Sequence, residues 1–274
     1  MTLSLDRPLV LVGAGNMGGA LLKGWIAVGL SPSLVVAIDP APPEPMRAML
    51  AAQAIACNSR PPALATPPAA IVLAVKPQLM EAVAPSVAPM VGPGTVVLSV
   101  AAGRTIASLA RHFAPGTAIV RSIPNTPAAI GRGITVAIAN AATTPAQRLL
   151  CDELLSAVGE VAFVEEERLI DAATAVSGSG PAYVFLLAEC LVQAGREVGL
   201  SPELAARLAR ATVSGAGELM RQSDLTPAVL RQNVTSPKGT TAAALEVLMA
   251  PEGLQPLLSR AVAAADARAT ALAV

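Results

Sequence analysis

In the N-terminal part of the chain, short continuous apolar runs alternate with longer stretches whose apolar residues recur at helical spacing. Leu9–Val12, Leu34–Ile38, Ile71–Val75, Val96–Ser99 and Ala118–Arg121 are short and rich in Val, Ile and Leu. That pattern predicts strands buried on both faces. Helices are expected between them, beginning near Asn16, Glu44, Gln78 and Ile106. Strand–helix alternation of this kind builds a parallel sheet covered on both sides. Gly133–Ala139 and Val161–Val164 extend the strand pattern, with Pro145–Val158 as the helix between them.

From Glu165 onward the strand signal disappears. Leu169–Val176, Ala182–Val198, Pro202–Met220, Thr226–Gln232, Thr240–Met249 and Leu254–Ala273 all read as helices. Ser201-Pro202 and Thr226-Pro227 supply an N-cap followed by Pro at the first helical position, and Gly199 fits a helix stop. The chain therefore divides into residues 1–164 and an all-helical part, 165–274.

Composition adds two constraints. Hydrophobic residues make up 53% of the chain, yet it holds one Trp, one Tyr and three Phe. The core must be built from Ala, Val, Leu and Ile, each of which buries little area, so further burial between subunits is expected. Lys plus Arg equal Asp plus Glu, at 19 each, with no long run of either sign. That removes the electrostatic footprint of a nucleic-acid binder.

No leader with a basic segment and an apolar run precedes Leu9, and no apolar stretch free of Gly, Pro or charge is long enough to demand a membrane. A cytoplasmic protein is the expectation. Cys57, Cys151 and Cys190 are scattered, form no CxxC, and read as small buried hydrophobes in a reducing compartment.

Two glycine-containing turns carry the candidate chemistry. Gly13-Ala14-Gly15-Asn16-Met17-Gly18 follows the first strand and opens a helix. In a GxGxxG turn the first glycine permits the bend, the second lets the backbone approach a pyrophosphate, and the third allows close helix–strand packing. A helix N-terminus offers unpaired N–H groups and the positive end of its dipole, a natural anion site. With the second strand ending in Asp39, the context is that of a dinucleotide-binding turn in a Rossmann-type doubly wound sheet. Far downstream, Thr235-Ser236-Pro237-Lys238-Gly239-Thr240-Thr241 opens another helical stretch and reads as a carboxylate cradle.

Asp39 sits where a carboxylate accepts bonds from the adenosine ribose hydroxyls, with no Arg or Lys before Arg47, which favours NADH over NADPH. Its other reading is a cap on the turn into Pro40. Ala74-Val75-Lys76-Pro77 ends the strand begun at Ile71, at the edge where ligands bind in open α/β sheets. Lys76 there either reaches the cofactor or is simply solvated. Ser99-Val100-Ala101-Ala102-Gly103 leaves room for a flat nicotinamide ring, and Asn125 and Thr126, in Pro124-Asn125-Thr126-Pro127, are candidate partners for its carboxamide. Ser177-Gly178-Ser179-Gly180-Pro181-Ala182-Tyr183 breaks one helix and starts another with more small residues than a plain connector needs.

In these motifs, and above all in 177–183 and in Asn233–Thr241, the chain resembles the pyrroline-5-carboxylate reductases over essentially its whole length. The resemblance implies a Rossmann domain for 1–164. For 165–274 it implies a helical substrate-binding domain that forms an intertwined homodimer, often assembled further into decamers. It implies reduction of 1-pyrroline-5-carboxylate to L-proline by NADPH or NADH. By carry-over, Val234, Gly239, Thr240 and Thr241 hold the substrate, Thr241 through its hydroxyl. Ser177 and Asp224 join it in the catalytic set, Asp224 near the substrate nitrogen. The cofactor contacts are Gly13, Gly15, Asn16, Met17, Gly18, Asp39, Asn58, Ala74, Val75, Lys76, Pro77, Ala101, Ala102, Gly103 and Asn125.

Lys238 stands where the family commonly has glycine, so either the backbone there needs no positive φ or the turn tolerates strain. A protonated imine is already electrophilic, so neither a strong base nor a metal is expected. The only histidine, His112, lies at a helix end outside every motif and reads as a surface residue. A β-hydroxyacid dehydrogenase shares the glycine turn but places a catalytic lysine on a helix of its second domain. Here the helical part's only lysine is Lys238, within a turn. A dinucleotide-sensing binding protein leaves the 177–183 cluster and the carboxylate cradle unused.

Overall fold

Each expected apolar run becomes a strand in the computed structural model, which describes residues 3–273. The strands are β1 (Leu9–Val12), β2 (Val35–Ile38), β3 (Cys57–Asn58), β4 (Ala70–Leu73), β5 (Val96–Ser99), β6 (Ala118–Pro124), β7 (Gly133–Ala139) and β8 (Gly159–Phe163). They form one sheet in the order β3-β2-β1-β4-β5-β6-β7-β8. Every pairing is parallel except β6 with β7. The chain winds outward from β1 in both directions, so the switch point lies between β1 and β4.

Helices α1 (Asn16–Ala27), α2 (Glu44–Ala52), α3 (Met80–Val87), α4 (Ile106–Ala110) and α5 (Pro145–Ser156) cover the sheet. Alternation along the strands sorts the core into two layers. Leu9, Leu11, Val72 and Leu98 pack with Leu22 and Trp25 of α1, Leu50 of α2 and Leu154 of α5. Val10, Val12, Ile71 and Val97 pack on the other face with Met80 and Val87 of α3 and Leu109 of α4. Trp25 is fully buried, and its indole N–H donates to the Leu154 carbonyl at 2.8 Å, which leaves its one polar atom satisfied.

Several boundaries differ from the sequence expectation. Cys57–Asn58 is a short strand that periodicity cannot detect, and it puts Asn58 beside β2. The helix expected near Gln78 is preceded by a 3-10 turn, Pro77–Leu79, because Lys76 before Pro77 is held extended at φ −59° and ψ 142°. α6 (Arg168–Ala173) does not continue to Val176 but gives way to a π turn, Thr174–Gly178. The Thr174 and Ser177 hydroxyls there donate to the carbonyls of Ile170 and Ala173 at 2.7 and 2.9 Å, and such back-bonding loosens helical pairing.

The structure divides after Gly178. One compact unit holds the sheet and takes back the segment from Asp266; the other is Ser179–Ala265. The second contains α7 (Gly180–Glu197), α8 (Pro202–Gln222), α9 (Pro227–Asn233), α10 (Thr240–Leu248) and most of α11 (Leu254–Leu272). It buries little of itself: Ala205 and Ala209 are its buried side chains among the described residues, while Phe185 is 62% and Leu219 57% exposed. The run Arg168–Glu197 contains a stretch apolar enough, at mean hydropathy 1.4, to cross a membrane by length and composition. It also carries Gly178, Gly180, Pro181 and Glu189.

Candidate functional site

The glycine turn is built as its residue types demand. Gly13 adopts φ +93°, and a Cβ there would meet the Ala74 carbonyl oxygen at 2.8 Å, so glycine is required twice over. A Cβ on Gly18 would strike the Gly13 carbonyl. Gly15 is different, because a Cβ there meets nothing within 4 Å. The missing side chain leaves free space over the start of α1. Asn16, Met17 and Gly18 precede the first intrahelical bond, Gly19 N–H to the Gly15 carbonyl at 2.7 Å, and no side chain caps the helix. Their amides are oriented for an anion in that space, so the turn fits a dinucleotide pyrophosphate. A cavity of about 570 Å³ opens beside it, lined by Gly15, Asn16, Met17, Lys23, Met46 and Thr126. A second, of about 500 Å³, lies at the opposite edge of the sheet beside Arg7 and Gln147 and contains none of the candidate residues.

Asp39 does more than the sequence suggested. Its Oδ2 accepts from the Ala14 N–H at 2.7 Å and its Oδ1 from the Ala41 N–H at 2.9 Å. The carboxylate thus holds the glycine turn in place and also caps the turn through Pro40. A carboxylate has about four lone-pair sites, so acceptor capacity for a ribose remains. Arg47 donates to the Pro42 carbonyl at 3.4 Å and stands 3.3 Å from Glu44. Asn58 donates to the Ala37 carbonyl at 3.2 Å, and its own carbonyl accepts from the Asp39 N–H at 2.9 Å.

The remaining cofactor candidates converge on the same edge. Ala74 N–H bonds the Val12 carbonyl at 2.8 Å and Val100 N–H the Leu73 carbonyl at 3.1 Å, which sets the loops after β1, β4 and β5 side by side. Lys76 is exposed and Ala101 buried, with the exposed Ala102 between Ala101 and Gly103. Gly103 has φ +70°, and a Cβ there would approach the Leu272 carbonyl to 2.9 Å, so the end of α11 backs this loop.

Asn125 is 8% exposed, and both ends of its amide are engaged by the protein. Nδ2 donates to the Ser177 carbonyl at 3.1 Å and Oδ1 accepts from the Ile134 N–H at 3.0 Å. It thus ties β6 to the π turn that carries Ser177. Beneath it lies an arrangement the sequence did not reveal. Arg121 of β6, 2% exposed, donates to Glu167 Oε1 at 2.9 Å and to Asp171 Oδ1 at 2.8 Å. Glu167 Oε1 also accepts from the Ile106 N–H at the start of α4, at 2.7 Å. A lone Arg within an apolar strand is the available signal for such a buried pair.

Three other expectations are corrected. Among the cysteines Cys151 alone is buried, with its thiol pushed up to about 12 by burial and then by Asp152. Cys57 and Cys190 are exposed, and the Cys57 thiol is also raised, by partial desolvation and then by Asp39. His112 is no solvated surface group: its side chain is 11% exposed, with Nε2 3.3 Å from Glu81.

The substrate candidates lie in the helical unit. Gly239 is the N-cap of α10 at φ −83°, and a Cβ there would strike the Ser236 hydroxyl. The first bond into α10 is Ala243 N–H to the Gly239 carbonyl at 3.2 Å, so the Thr240 and Thr241 amides precede it. Thr241 is half-buried, while Val234 and Thr240 are exposed. Asp224 is exposed in the loop between α8 and α9. Lys238 has φ +59°, which decides between its two readings: the turn is strained, at about 1 kcal/mol relative to glycine. Among the described residues no group of three or more His, Cys, Asp or Glu gathers as a metal site.

Two family models match the chain. "Pyrroline-5-carboxylate reductase dimerisation" covers residues 167–272, and "NADP oxidoreductase coenzyme F420-dependent" covers residues 8–103. A pyrroline-5-carboxylate reductase of Pseudomonas aeruginosa is 41% identical over 97% of this chain and 96% of its own length. Among solved structures, a pyrroline-5-carboxylate reductase from Coxiella burnetii superposes with a TM-score of 0.91 at 31% identity, covering 98% of this chain and 100% of that one. A pyrroline carboxylate reductase of Plasmodium falciparum with NADP bound gives 0.81 at 28% identity, covering 98% and 99%.

Proposed function

The chain belongs to the pyrroline-5-carboxylate reductase family, and from that premise we propose that it reduces the C=N bond of 1-pyrroline-5-carboxylate with NADH or NADPH to give L-proline, the last step of proline synthesis. The observation that carries the cofactor half of this reading is the free space over Gly15, faced by the first-turn amides of α1.

When bound, a reduced nicotinamide supplies the hydride. The chain's own work is to bind, orient and balance charge. The amides of Asn16, Met17 and Gly18 meet the pyrophosphate, Asp39 and Asn58 the adenosine ribose, and Ala74–Pro77 with Ala101–Gly103 the nicotinamide half. Ser177 lies within a turn that Asn125 fixes. The amides of Gly239, Thr240 and Thr241, with the Thr241 hydroxyl and the wall at Val234, hold the substrate carboxylate. Asp224 offers negative charge to the iminium nitrogen. Holding two ligands in register supplies most of the rate, which suits a site with no strong base in it.

The division of labour follows the chain, with 1–164 for the dinucleotide and 165–274 for substrate and assembly. Phe185, Leu219 and the rest of the uncovered apolar surface of the helical unit are buried in a homodimer, which builds further into a decamer. The apolar run Arg168–Glu197 falls wholly within the matched dimerisation segment, and a second copy rather than lipid covers it. The protein works in the cytoplasm, with no nucleic-acid partner.

The test is an assay of the purified protein with pyrroline-5-carboxylate and either dinucleotide, proline being identified chromatographically. Oxidation of one NADH or NADPH for each proline formed from the imine is expected, with no turnover of 2- or 3-hydroxy acids with NAD. Activity on a hydroxy acid and none on the imine would overturn the reading.

A further inference from the structure

Arg104 stands one residue beyond Gly103 and belongs to none of the motifs above. Its guanidinium reaches across to the neighbouring loop, where Nε and Nη2 donate to the Pro77 carbonyl at 3.1 and 2.6 Å. Nη1 donates to Glu81 Oε1 at 2.9 Å, and the other Glu81 oxygen lies 3.3 Å from His112 Nε2. The Arg104 side chain is 12% exposed and its bonds to the Pro77 carbonyl are partly buried, while Glu81 is 56% exposed. Charge-assisted, paired bonds in such surroundings are the strong ones.

The place of this fork matters. Pro77 closes the loop after β4, and Gly103 closes the loop after β5. Backbone pairing between the two strands reaches Val100 N–H to the Leu73 carbonyl, and past that point Arg104 bridges the loops. Glu81 in α3 pairs with the guanidinium, and His112 just past α4 lies against the other Glu81 oxygen. A dinucleotide crosses the carboxyl edge of a doubly wound sheet at the switch point. Its adenosine half then lies towards β2 and β3, where Asp39 and Asn58 are, and its nicotinamide half towards β4 and β5.

We propose that Arg104 is a positioning residue for the nicotinamide half of the cofactor, fixing the loops after β4 and β5 at the separation that receives the ring. Arg104 touches no reacting atom in this scheme. It acts through the Pro77 carbonyl and so through Ala74–Pro77. The inference rests on the dinucleotide reading of the site, and the test separates the two.

NADH and ADP are titrated into the wild-type protein, Arg104→Met, Arg104→Lys and Glu81→Ala, with dissociation constants read calorimetrically. ADP probes the glycine turn and the Asp39 corner alone. Arg104→Met keeps the stem and removes the donors, and is expected to raise the NADH Kd about tenfold while moving the ADP Kd by less than about twofold. Arg104→Lys falls between Met and wild type. Glu81→Ala alters an exposed carboxylate, gives a smaller shift in the same sense, and decides the matter if Arg104→Met does not fold. Equal loss of NADH and ADP affinity, or no loss of either, overturns the positioning role. Wild-type protein that binds neither probe overturns the dinucleotide reading itself, and this inference with it.

Discussion

Asp39, just past the end of β2, accepts from the Ala14 N–H through one carboxylate oxygen and from the Ala41 N–H through the other. An acidic residue at the end of the second strand was legible, because its distance from the glycine turn is set by one strand–helix–strand unit. Its bond to the Ala14 N–H was not, since it depends on the atomic path of the turn. The consequence is practical: Asp39→Ser removes charge and loosens the turn together. Asp39→Asn keeps an acceptor for Ala14 while removing the charge that opposes a 2′-phosphate. The ratio of kcat/KM with NADH to that with NADPH is expected to fall about tenfold in Asp39→Asn, one charge-assisted bond's worth. Steady-state kinetics with both dinucleotides check it, and an unchanged ratio removes Asp39 from cofactor selection. Arg104 lay beyond sequence reading for the same reason as the Ala14 bond. Its partners Pro77 and Glu81 belong to a different crossover, and nothing in the local pattern says where a long side chain reaches.

At the scale of elements, the strands and their order were legible because continuous apolar runs between helices permit few arrangements. What escaped was structure set by single polar groups. Cys57–Asn58 is too short for any period, and α6 ends early where two hydroxyls bond back to the preceding turn. Arg121 is the clearest case. Its paired carboxylates come from α6 and the residue before it, and together they fasten α4 and α6 beneath β6. Removing the arginine leaves two carboxylates facing each other, with Asp171 12% and Glu167 33% exposed. Arg121→Met is therefore expected to destabilise the protein by about 3 kcal/mol, the low end for a broken buried pair because Glu167 is partly solvated. Arg121→Lys should recover part of that loss. Denaturant unfolding at fixed protein concentration checks both, and a change below about 0.5 kcal/mol would show that the triad is neutral.

For the whole molecule, the low aromatic content and the apolar helices of the C-terminal half already pointed to burial between subunits, and the helical unit bears out how little it buries alone. The division into two units after Gly178 was not legible, because the π turn continues the helical pattern up to the break. Both turns proposed to bind anions were legible as glycine-containing helix starts, since the residue types that build them act through the backbone. They lie in different units, the Gly13–Gly18 turn in the sheet and the Gly239–Thr241 turn in the helices. In the proposed function the first holds the dinucleotide and the second the substrate carboxylate. The most direct test is Thr241→Val, which removes the hydroxyl at nearly constant volume. It should lower kcat/KM for pyrroline-5-carboxylate about ten- to hundredfold, the loss of one charge-assisted hydrogen bond. The NADH dissociation constant, measured in parallel, should stay within about twofold of wild type, less than about 0.5 kcal/mol. An unchanged kcat/KM, or a loss of NADH affinity in its place, would contradict the claim.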